Sequence, residues 1–290
     1  MTRIIESLAD IAADYDALFC DLWGCLHNGI APFPEAVAAL RGFRRGGGKV
    51  VLLTNAPRPR HEVEVQLDGM GVPRDCWDVI ATSGDSARLA MFQGAVGHDV
   101  YFIGEDRDLA FFEPIHLLDP CPEVRRVALT EATGIVCTGP RDPHADPSVH
   151  RGEFLYAKTK GLTFLCANPD LVVDRGHERI WCAGALAALY EEMGGSSLYF
   201  GKPHPPVYDL ARRRLAQLGA MVPDSRILAI GDGIATDIRG AMGEEIDSLF
   251  VTGGIAAAET KTVTDPDPEA LEAYMAREMA AATYAIGKLR

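Results

Sequence analysis

Short apolar runs that each end at a turn signal constrain the fold of this 290-residue chain more than any other feature. Most of them are apolar on both faces, which is typical of strands buried inside a parallel sheet. Helical patterns such as 34–45 and 205–219 lie between many of them. Strands that alternate with helices predict a doubly wound α/β fold. The runs are ALFCD (17–21), KVVLLTN (49–55), WDVIATSG (77–84), DVYFIGE (99–105), GIVCTG (134–139), LTFLCANPD (162–170), SLYFGK (197–202), RILAIGDG (226–233) and SLFVTGG (248–254).

The length of the chain and the order of these patterns predict two domains. The middle of the chain has its own strand–helix alternation, which indicates an α/β domain inserted into the first one. We therefore expect a core formed by residues 1–84 and 197–290, with the inserted domain at 85–196. The tail from Asp265 onward is predicted to be a closing helix.

The bulk composition excludes several classes of partner. A net charge of −13 argues against a nucleic-acid surface, and any anionic substrate must be attracted by a local site. Seven cysteines without a CxxC pair fit reduced thiols in the cytoplasm better than disulfides or a zinc site. No apolar run approaches ~18 residues and the N-terminus has no long apolar segment, so we expect neither a membrane span nor a signal peptide.

Polar residues stand at the ends of four predicted strands, where ligands of doubly wound sheets bind. Each has an ordinary interpretation when taken alone: a turn residue, a helix cap or a solvated loop. GDGIATD (231–237) also imitates the start of a dinucleotide fingerprint, but the third glycine and the later ribose-binding acid are missing. The residues are Asp21, Thr54 with Asn55, Lys202, and Asp232 followed by Asp237.

Taken together, these residues predict phosphoryl transfer. Asp21 and Asp232, with a main-chain carbonyl and water, would form an all-oxygen site suited to Mg²⁺. A carboxylate can attack phosphorus and form an aspartyl-phosphate, and the metal would reduce the repulsion between two anions. The Thr54 hydroxyl and the Lys202 ammonium would hold the phosphoryl oxygens.

The ordered series DLWGCLHNG, VVLLTNAPRP, GKPHPP and ILAIGDGIATDIRGA resembles the four motifs of the haloacid-dehalogenase (HAD) superfamily of phosphohydrolases. ATSGD, ANPDLVV and IRGAMGEEIDSLFVTGG further resemble its class IIA, the para-nitrophenyl-phosphatase and pyridoxal-phosphatase type. The resemblance extends in order over nearly the whole chain. It implies a HAD-like core with an inserted α/β cap that closes over a small phosphorylated metabolite, and by analogy a homodimer formed through the cap.

The resemblance also implies a role for each matching residue. Asp21 would be the nucleophile and a Mg²⁺ ligand, and the main-chain carbonyl of Trp23 would be a second ligand. Asp232 would bind Mg²⁺ directly, and Asp237 would support the metal shell.

The remaining matching residues would bind the substrate. Thr54 and Asn55 would contact phosphate, and Lys202 would stabilise both nucleophile and phosphate. Asn168 and Asp170 belong to the NPD segment near the junction of core and cap, where they would contact the substrate.

Trp23 departs from the family pattern, which is Asp-x-Asp. The second Asp normally protonates the leaving group and activates water, whereas an indole only donates a hydrogen bond. General acid–base catalysis is typically worth ~10²–10⁴-fold. His27 is a candidate substitute because its ordinary pKa of ~6.5 suits the task, and His204 is a weaker one. His27 could instead bond backbone in the flap, and Trp23 could either stack on a flat substrate or wedge the flap.

We therefore predict a cytoplasmic, Mg²⁺-dependent phosphatase that forms an aspartyl-phosphate on Asp21. The alternatives left open by Trp23 are a slow or inactive protein that binds a phosphorylated ligand, and a phosphotransferase that uses an acceptor other than water. No nucleic-acid or membrane partner is expected.

Overall fold

The structure is a computed structural model. It describes residues 2–115, 118, 120–175, 178–219 and 221–290, with backbone alone at 174 and 175. The chain forms two compact units. Unit 1 comprises the residues up to Thr54, Glu64–Ala81 and Lys202–Arg290, and unit 2 comprises Asn55–Val63 and Thr82–Gly201.

The described residues contain fourteen strands and eight α-helices. The strands are β1 Arg3–Ile4, β2 Ala17–Cys20, β3 Lys49–Thr54, β4 Val79–Thr82, β5 Asp99–Ile103, β6 Arg125–Arg126, β7 Gly134–Cys137, β8 Thr163–Cys166, β9 Val172–Arg175, β10 Glu178–Trp181, β11 Ser196–Tyr199, β12 Ile227–Gly231, β13 Asp247–Val251 and β14 Tyr284–Ile286. The helices are α1 Pro34–Arg45, α2 Arg60–Gly69, α3 Ser83–Phe92, α4 Arg151–Thr159, α5 Ala183–Glu192, α6 Pro205–Gln217, α7 Arg239–Gly243 and α8 Pro268–Arg277. None of these helices has the length and hydrophobicity needed to span a membrane.

Unit 1 is built on a seven-stranded sheet with the strand order β1-β14-β13-β12-β2-β3-β4. The pairs from β1 through β3 are parallel, and the register between the two central strands places Cys20 opposite Ile230. Every residue of β2 and β12 is buried, as the uniformly apolar runs predict. The predicted α/β fold class is confirmed.

Helices cover the sheet of unit 1 with apolar side chains. Tyr208 and Leu215 of α6 pack with Phe19 of β2, and Leu271 of α8 packs with Phe250 of β13. Full burial of each such side chain contributes about 1.5–3 kcal/mol. The helix starts follow from local sequence: α1, α6 and α8 all carry proline in the first turn, where its missing N–H costs nothing.

Unit 2 contains a second parallel sheet with the order β11-β8-β7-β5-β6, and a separate antiparallel pair of β9 and β10. Its core includes the mutually packed rings of Phe154, Phe164 and Tyr190. The strand–helix alternation in the middle of the sequence thus forms a sheet of its own.

The bounds of the two units differ from the predicted domain bounds. Residues 55–63 belong to unit 2, because Asn55 Nδ2 donates a 2.9 Å hydrogen bond to Asp170. A Cβ at Gly84 would lie 2.5 Å from backbone atoms of Pro57 and Arg58, so this segment packs closely on α3. The second boundary between the units lies between Gly201 and Lys202, and not between residues 196 and 197 as predicted.

Two expectations about individual strands were wrong. The run SLYFGK was assigned to the core, but β11 pairs with β8 in the sheet of unit 2. The tail from Asp265 is not one helix: α8 ends at Arg277, and β14 then pairs with both β1 and β13. Tyr284 and Ile286 have side chains that favour strands, which explains the second outcome.

Candidate active site

Two carboxylates meet at one edge of the sheet of unit 1. Asp21 follows β2 directly, and Asp232 follows β12. Because these parallel strands are neighbours, with Asp21 N donating to Ile230 O at 2.8 Å, both side chains emerge at the same edge. Both residues are buried, at 8 % and 6 % exposure.

Lys202 is the cation of this site and is 3 % exposed. Its Nζ donates to Asp21 Oδ1 and to Asp237 Oδ1, each at 2.6 Å. Burial alone would lower the pKa of Lys202, but the charges of Asp21 and Asp237 outweigh it and raise the pKa well above its usual value. The lysine is therefore charged and fixes the orientation of the Asp21 carboxylate.

Asp237 lies in a π-helical turn that follows β12. The backbone N–H of Gly233 donates to Asp237 Oδ2 at 3.1 Å. A Cβ at Gly231 would lie 2.0 Å from Asp237 Cγ, so only glycine leaves room for this carboxylate. Burial, together with the charge of Asp21, raises the pKa of Asp237, while Lys202 acts in the opposite direction.

Asp232 is enclosed by two glycines. A Cβ at Gly24 or at Gly254 would lie 2.1 Å from Asp232 Oδ2, and the N–H of Ile255 is 3.4 Å from the same oxygen. Burial and the charges of Asp21 and Asp237 raise the pKa of Asp232 well above its usual value. The charge of Lys202 acts in the opposite direction but does not outweigh these effects.

The donor set fits a divalent metal ion. The ammonium of Lys202 pairs with the buried carboxylates of Asp21 and Asp237, and the buried carboxylate of Asp232 is a third acid, so the acids outnumber the cation. One oxygen each from Asp21 and Asp232 lies within 4.8 Å of the other and of the sulfur of Cys25. Hard oxygen ligands of this kind suit Mg²⁺. The carbonyl of Trp23 remains a predicted ligand, as does the outer role of Asp237.

Thr54 ends β3, the strand beside β2, and is 8 % exposed. The register between β2 and β3 places Thr54 at the same edge of the sheet as Asp21. Its binding of phosphate stays a prediction.

The other predicted substrate contacts form a hydrogen-bonded set within unit 2. Asn55 Nδ2 donates to Asp170 Oδ1, and Asp170 N donates to Asn168 Oδ1 at 3.0 Å. All three side chains therefore order this segment of unit 2. Their contact with substrate stays a prediction.

Trp23 and His27 lie in a short flap that the chain forms after Asp21. The indole packs in an edge-to-face arrangement on His27, with ring centroids 5.6 Å apart. A Cβ at Gly29 would lie 2.4 Å from the indole, so Trp23 also covers this glycine. Of the two roles left open by the sequence, the geometry favours Trp23 as a wedge of the flap.

His27 is 2 % exposed, and its Nδ1 accepts a 3.0 Å hydrogen bond from Gly29 N. Burial lowers the pKa of His27 to about 4. The ring is therefore neutral at pH 7 and carries its proton on Nε2, where it is a very weak acid. The geometry supports the backbone-bonding alternative, and a catalytic role for His27 stays a prediction without support from these contacts.

Sequence reasoning described two features of the site incompletely. It placed Cys20 and Cys25 beside the site and interpreted the cysteines as inert core thiols, but it did not predict that the Cys25 sulfur lies near both carboxylates. The enclosure of Asp232 by Gly24 and Gly254 was missed because the two glycines are far apart in sequence. The glycine directly before Cys25 is a local sequence signal for a turn at this point, and Gly24 does adopt a φ of +77°.

Comparisons with known proteins show which family this chain is similar to. Two family models match, one of haloacid dehalogenase-like hydrolases at residues 18–117 and one described as HAD-hydrolase-like at residues 199–278. A solved haloacid dehalogenase-like hydrolase from Brucella suis 1330 is 37% identical, with a TM-score of 0.84 over 99% of this chain and 100% of that chain.

Two further relatives have named activities. D-glycerol 3-phosphate phosphatase of Mycobacterium tuberculosis is 26% identical over 265 residues, which are 89% of this chain and 69% of that protein. A solved glycerol phosphate phosphatase from the same organism, in complex with magnesium, is 24% identical and has a TM-score of 0.65, covering 84% of this chain and 70% of that chain. The last likeness concerns the fold alone.

Proposed function

We propose that this chain, which belongs to the haloacid-dehalogenase-like hydrolases and acts on phosphate esters, is a Mg²⁺-dependent phosphatase with Asp21 as its nucleophile. One observation carries the proposal: Lys202 Nζ holds Asp21 Oδ1 at 2.6 Å beside the buried carboxylate of Asp232. A protein that only binds phosphate does not need a buried carboxylate beside the bound phosphate. A nucleophile does need such a fixed orientation.

In the first step, the Asp21 carboxylate attacks the phosphorus atom of the ester. The bond between phosphorus and the alcohol oxygen breaks, and its electron pair leaves with that oxygen. Water then attacks the phosphorus of the aspartyl-phosphate, the bond to Asp21 breaks, and inorganic phosphate is released with the carboxylate restored. Lys202, and the hydroxyl proposed for Thr54, hold the phosphoryl oxygens.

Asp21 and Asp232 would hold Mg²⁺, together with the main-chain carbonyl of Trp23. The bound ion would reduce the charge repulsion between the anionic nucleophile and the anionic ester. A relative of the same fold carries magnesium, which supports this choice of ion.

Trp23 sets the expected substrate preference. Its indole cannot donate a proton to the departing alcohol as a carboxylic acid does, and His27, which is neutral at pH 7, is a much weaker acid than a carboxylic acid. Esters whose leaving group is stable as an anion, such as aryl phosphates, need this proton least. We expect them to react fastest.

The substrate proposed here is a small phosphorylated metabolite, with unit 2 as a cap that restricts access and as the site of a homodimer contact. The names of the M. tuberculosis relatives make three-carbon polyol phosphates the first compounds to test. The cytoplasm is the proposed location.

The test measures release of inorganic phosphate from a panel of esters that includes para-nitrophenyl phosphate and both glycerol phosphates. Each reaction is run with Mg²⁺ and with EDTA, for the parent protein and for Asp21→Asn. We expect turnover that requires the metal and disappears in Asp21→Asn. Turnover that survives in Asp21→Asn would overturn the mechanism.

Two other outcomes identify the alternatives. Tight binding of phosphate analogues without hydrolysis of any ester would indicate a binding protein. Phosphate transfer that depends on an added alcohol would indicate a phosphotransferase.

A further inference from the structure

Cys25 is a buried cysteine whose thiol makes no hydrogen bond within the described part of the chain. Four of the other buried cysteines donate to backbone carbonyls: Cys20 to Asp21 O, Cys76 to Pro73 O, Cys137 to Gly139 O and Cys166 to Asn168 O. Cys25 is 1 % exposed. A buried thiol without a partner points to a ligand that the hydrogen-bond pattern does not include.

The sulfur of Cys25 is directed at the carboxylate pair. Its Sγ and one oxygen each of Asp21 and Asp232 all lie within 4.8 Å of one another. Distances of this size are those between ligands on a common metal ion, since Zn–S bonds are about 2.3 Å and Zn–O bonds about 2.0–2.2 Å. Three protein ligands with room for water are also the usual set of an open zinc site.

We propose that Asp21, Cys25 and Asp232 form a binding site for a thiophilic divalent cation of the zinc and cadmium class. The thiolate is a soft ligand that selects such ions, whereas the carboxylates alone favour Mg²⁺. When the ion binds, the thiol proton passes to water and the sulfur forms the bond to the metal. The inference rests on the proposed function because it uses the same two carboxylates.

Cys25 is buried beside the two carboxylates. Cys25 also lines a pocket of about 270 Å³ within unit 1, with Gly24, Phe33 and Thr264 among its other walls.

The consequence is competition between two metal ions at one place. An ion held by the sulfur would engage the same Asp21 carboxylate that the proposed reaction uses as nucleophile. Zinc would therefore inhibit hydrolysis in two ways: it would occupy the site of Mg²⁺, and it would bind the Asp21 carboxylate so that this group cannot attack phosphorus. The sulfur, not the carboxylates, decides which ion is preferred.

The experiment titrates Cd²⁺ into the full-length protein and follows the ultraviolet thiolate-to-cadmium charge-transfer band, with no substrate present. Cys25→Ser should lose the band and bind Zn²⁺ at least about tenfold more weakly, the lower end of what loss of even a supporting contact costs. Cys20→Ser is the matched control, because Cys20 is equally buried but bonds backbone, and it should keep the band. Cys121→Ser removes the one cysteine that is partly exposed, and the band should remain.

An unchanged band in Cys25→Ser, or no band in the parent protein, would overturn the proposal. If Cys25→Ser fails to fold, as judged by its thermal melt, Asp232→Asn provides the second test. It should weaken Cd²⁺ binding measured by the same band, and unchanged affinity would overturn the proposed location. A Cys25-dependent band without any phosphatase activity would leave this site intact and refute the proposed function, whereas Mg²⁺-dependent turnover without a band would refute this site alone.

Discussion

The resemblance to the family assigns Trp23 to the place of an acid, and its indole packs against His27 and Gly29. Replacing this side chain with a carboxylic acid tests whether the missing proton donor limits the reaction. The metal site should be affected little, because the proposed contribution of residue 23 is its main-chain carbonyl. Substitutions at residue 23 can therefore distinguish an effect of flap packing from an effect of proton transfer.

We predict that Trp23→Asp raises the rate on alkyl phosphates by about 10²-fold, the lower end of general acid–base catalysis, and changes the rate on para-nitrophenyl phosphate much less. Trp23→Asn is the control, because it removes the same packing without supplying an acid. The measurement is kcat for a series of esters whose leaving groups differ in pKa. Equal gains in Trp23→Asp and Trp23→Asn would contradict the explanation.

His27 makes a second prediction, which concerns stability. The pKa of His27 in the folded protein, about 4, lies below its ordinary value of 6.5. Between these values the unfolded chain binds a proton that the folded chain does not bind. The free energy of unfolding therefore decreases as the pH falls from 6.5 to 4, by up to about 3 kcal/mol at about 1.4 kcal/mol per unit.

The measurement is urea unfolding of the parent protein and of His27→Asn from pH 7 down to pH 4. Asn keeps an acceptor for Gly29 N, and we expect this variant to lose part of the pH dependence. His61→Asn, which changes an exposed histidine of α2, should follow the parent curve. Parallel curves for the parent protein and His27→Asn would show that the flap histidine does not carry the effect.

At the scale of elements, two glycines have opposite expected effects. Gly24 follows β2 with a φ of +77°, and a Cβ there would lie 2.1 Å from Asp232 Oδ2. Gly42 lies in the interior of α1, is exposed, and a Cβ there would meet no atom within 4 Å. Backbone freedom is needed at the first position and costs stability at the second.

We predict that Gly24→Ala destabilises the protein and weakens Mg²⁺ binding, because both the backbone and Asp232 must shift. Gly42→Ala should raise the free energy of unfolding by about 0.5–1 kcal/mol and leave Mg²⁺ affinity unchanged. Denaturant unfolding and calorimetric titration of Mg²⁺ measure the two effects. Equal metal affinity in both variants would contradict the role given to Gly24.

The sequence alone supports the fold class and the sheet edge of the site, because uniformly apolar runs and the polar residues after them are local signals. The partner of a strand is not a local property. β11 has the composition of a core strand, yet it pairs with β8 of unit 2. β14 begins only a few residues after α8, so the whole tail was interpreted as one helix and the pairing of β14 with β1 and β13 was missed.

The same limit applies within the site. The alternation of patterns predicts that Asp21 and Asp232 lie at one edge of the sheet, whereas their proximity depends on the pairing of β2 with β12. The position of the Cys25 sulfur depends on how the flap turns after β2, and no periodic signal reports that turn. Packing of Trp23 on Gly29 is likewise a contact that only the folded flap creates.

At the scale of the whole molecule, the net charge of −13 opposes the approach of an anionic substrate. We predict that kcat/KM for a phosphate ester rises as the salt concentration increases from about 0.01 M to about 0.15 M, since screening shortens the range of this repulsion. At saturating Mg²⁺, kcat should stay constant. A fall in kcat/KM over this range would mean that local positive charge dominates the encounter.

The pairing of β1 with β14 joins the first described strand to the last one, and Lys202 bonds an aspartate 181 positions earlier in the chain. Contacts between such distant segments form slowly, because long loops must close before any interaction rewards them. During synthesis, the nucleophile emerges long before the lysine that orients it and the strand that completes its sheet. Unit 2, whose sheet lies between residues 99 and 199, has all of its strands available sooner. Unit 2 can therefore begin to fold before the last strands of the sheet of unit 1 have been synthesised.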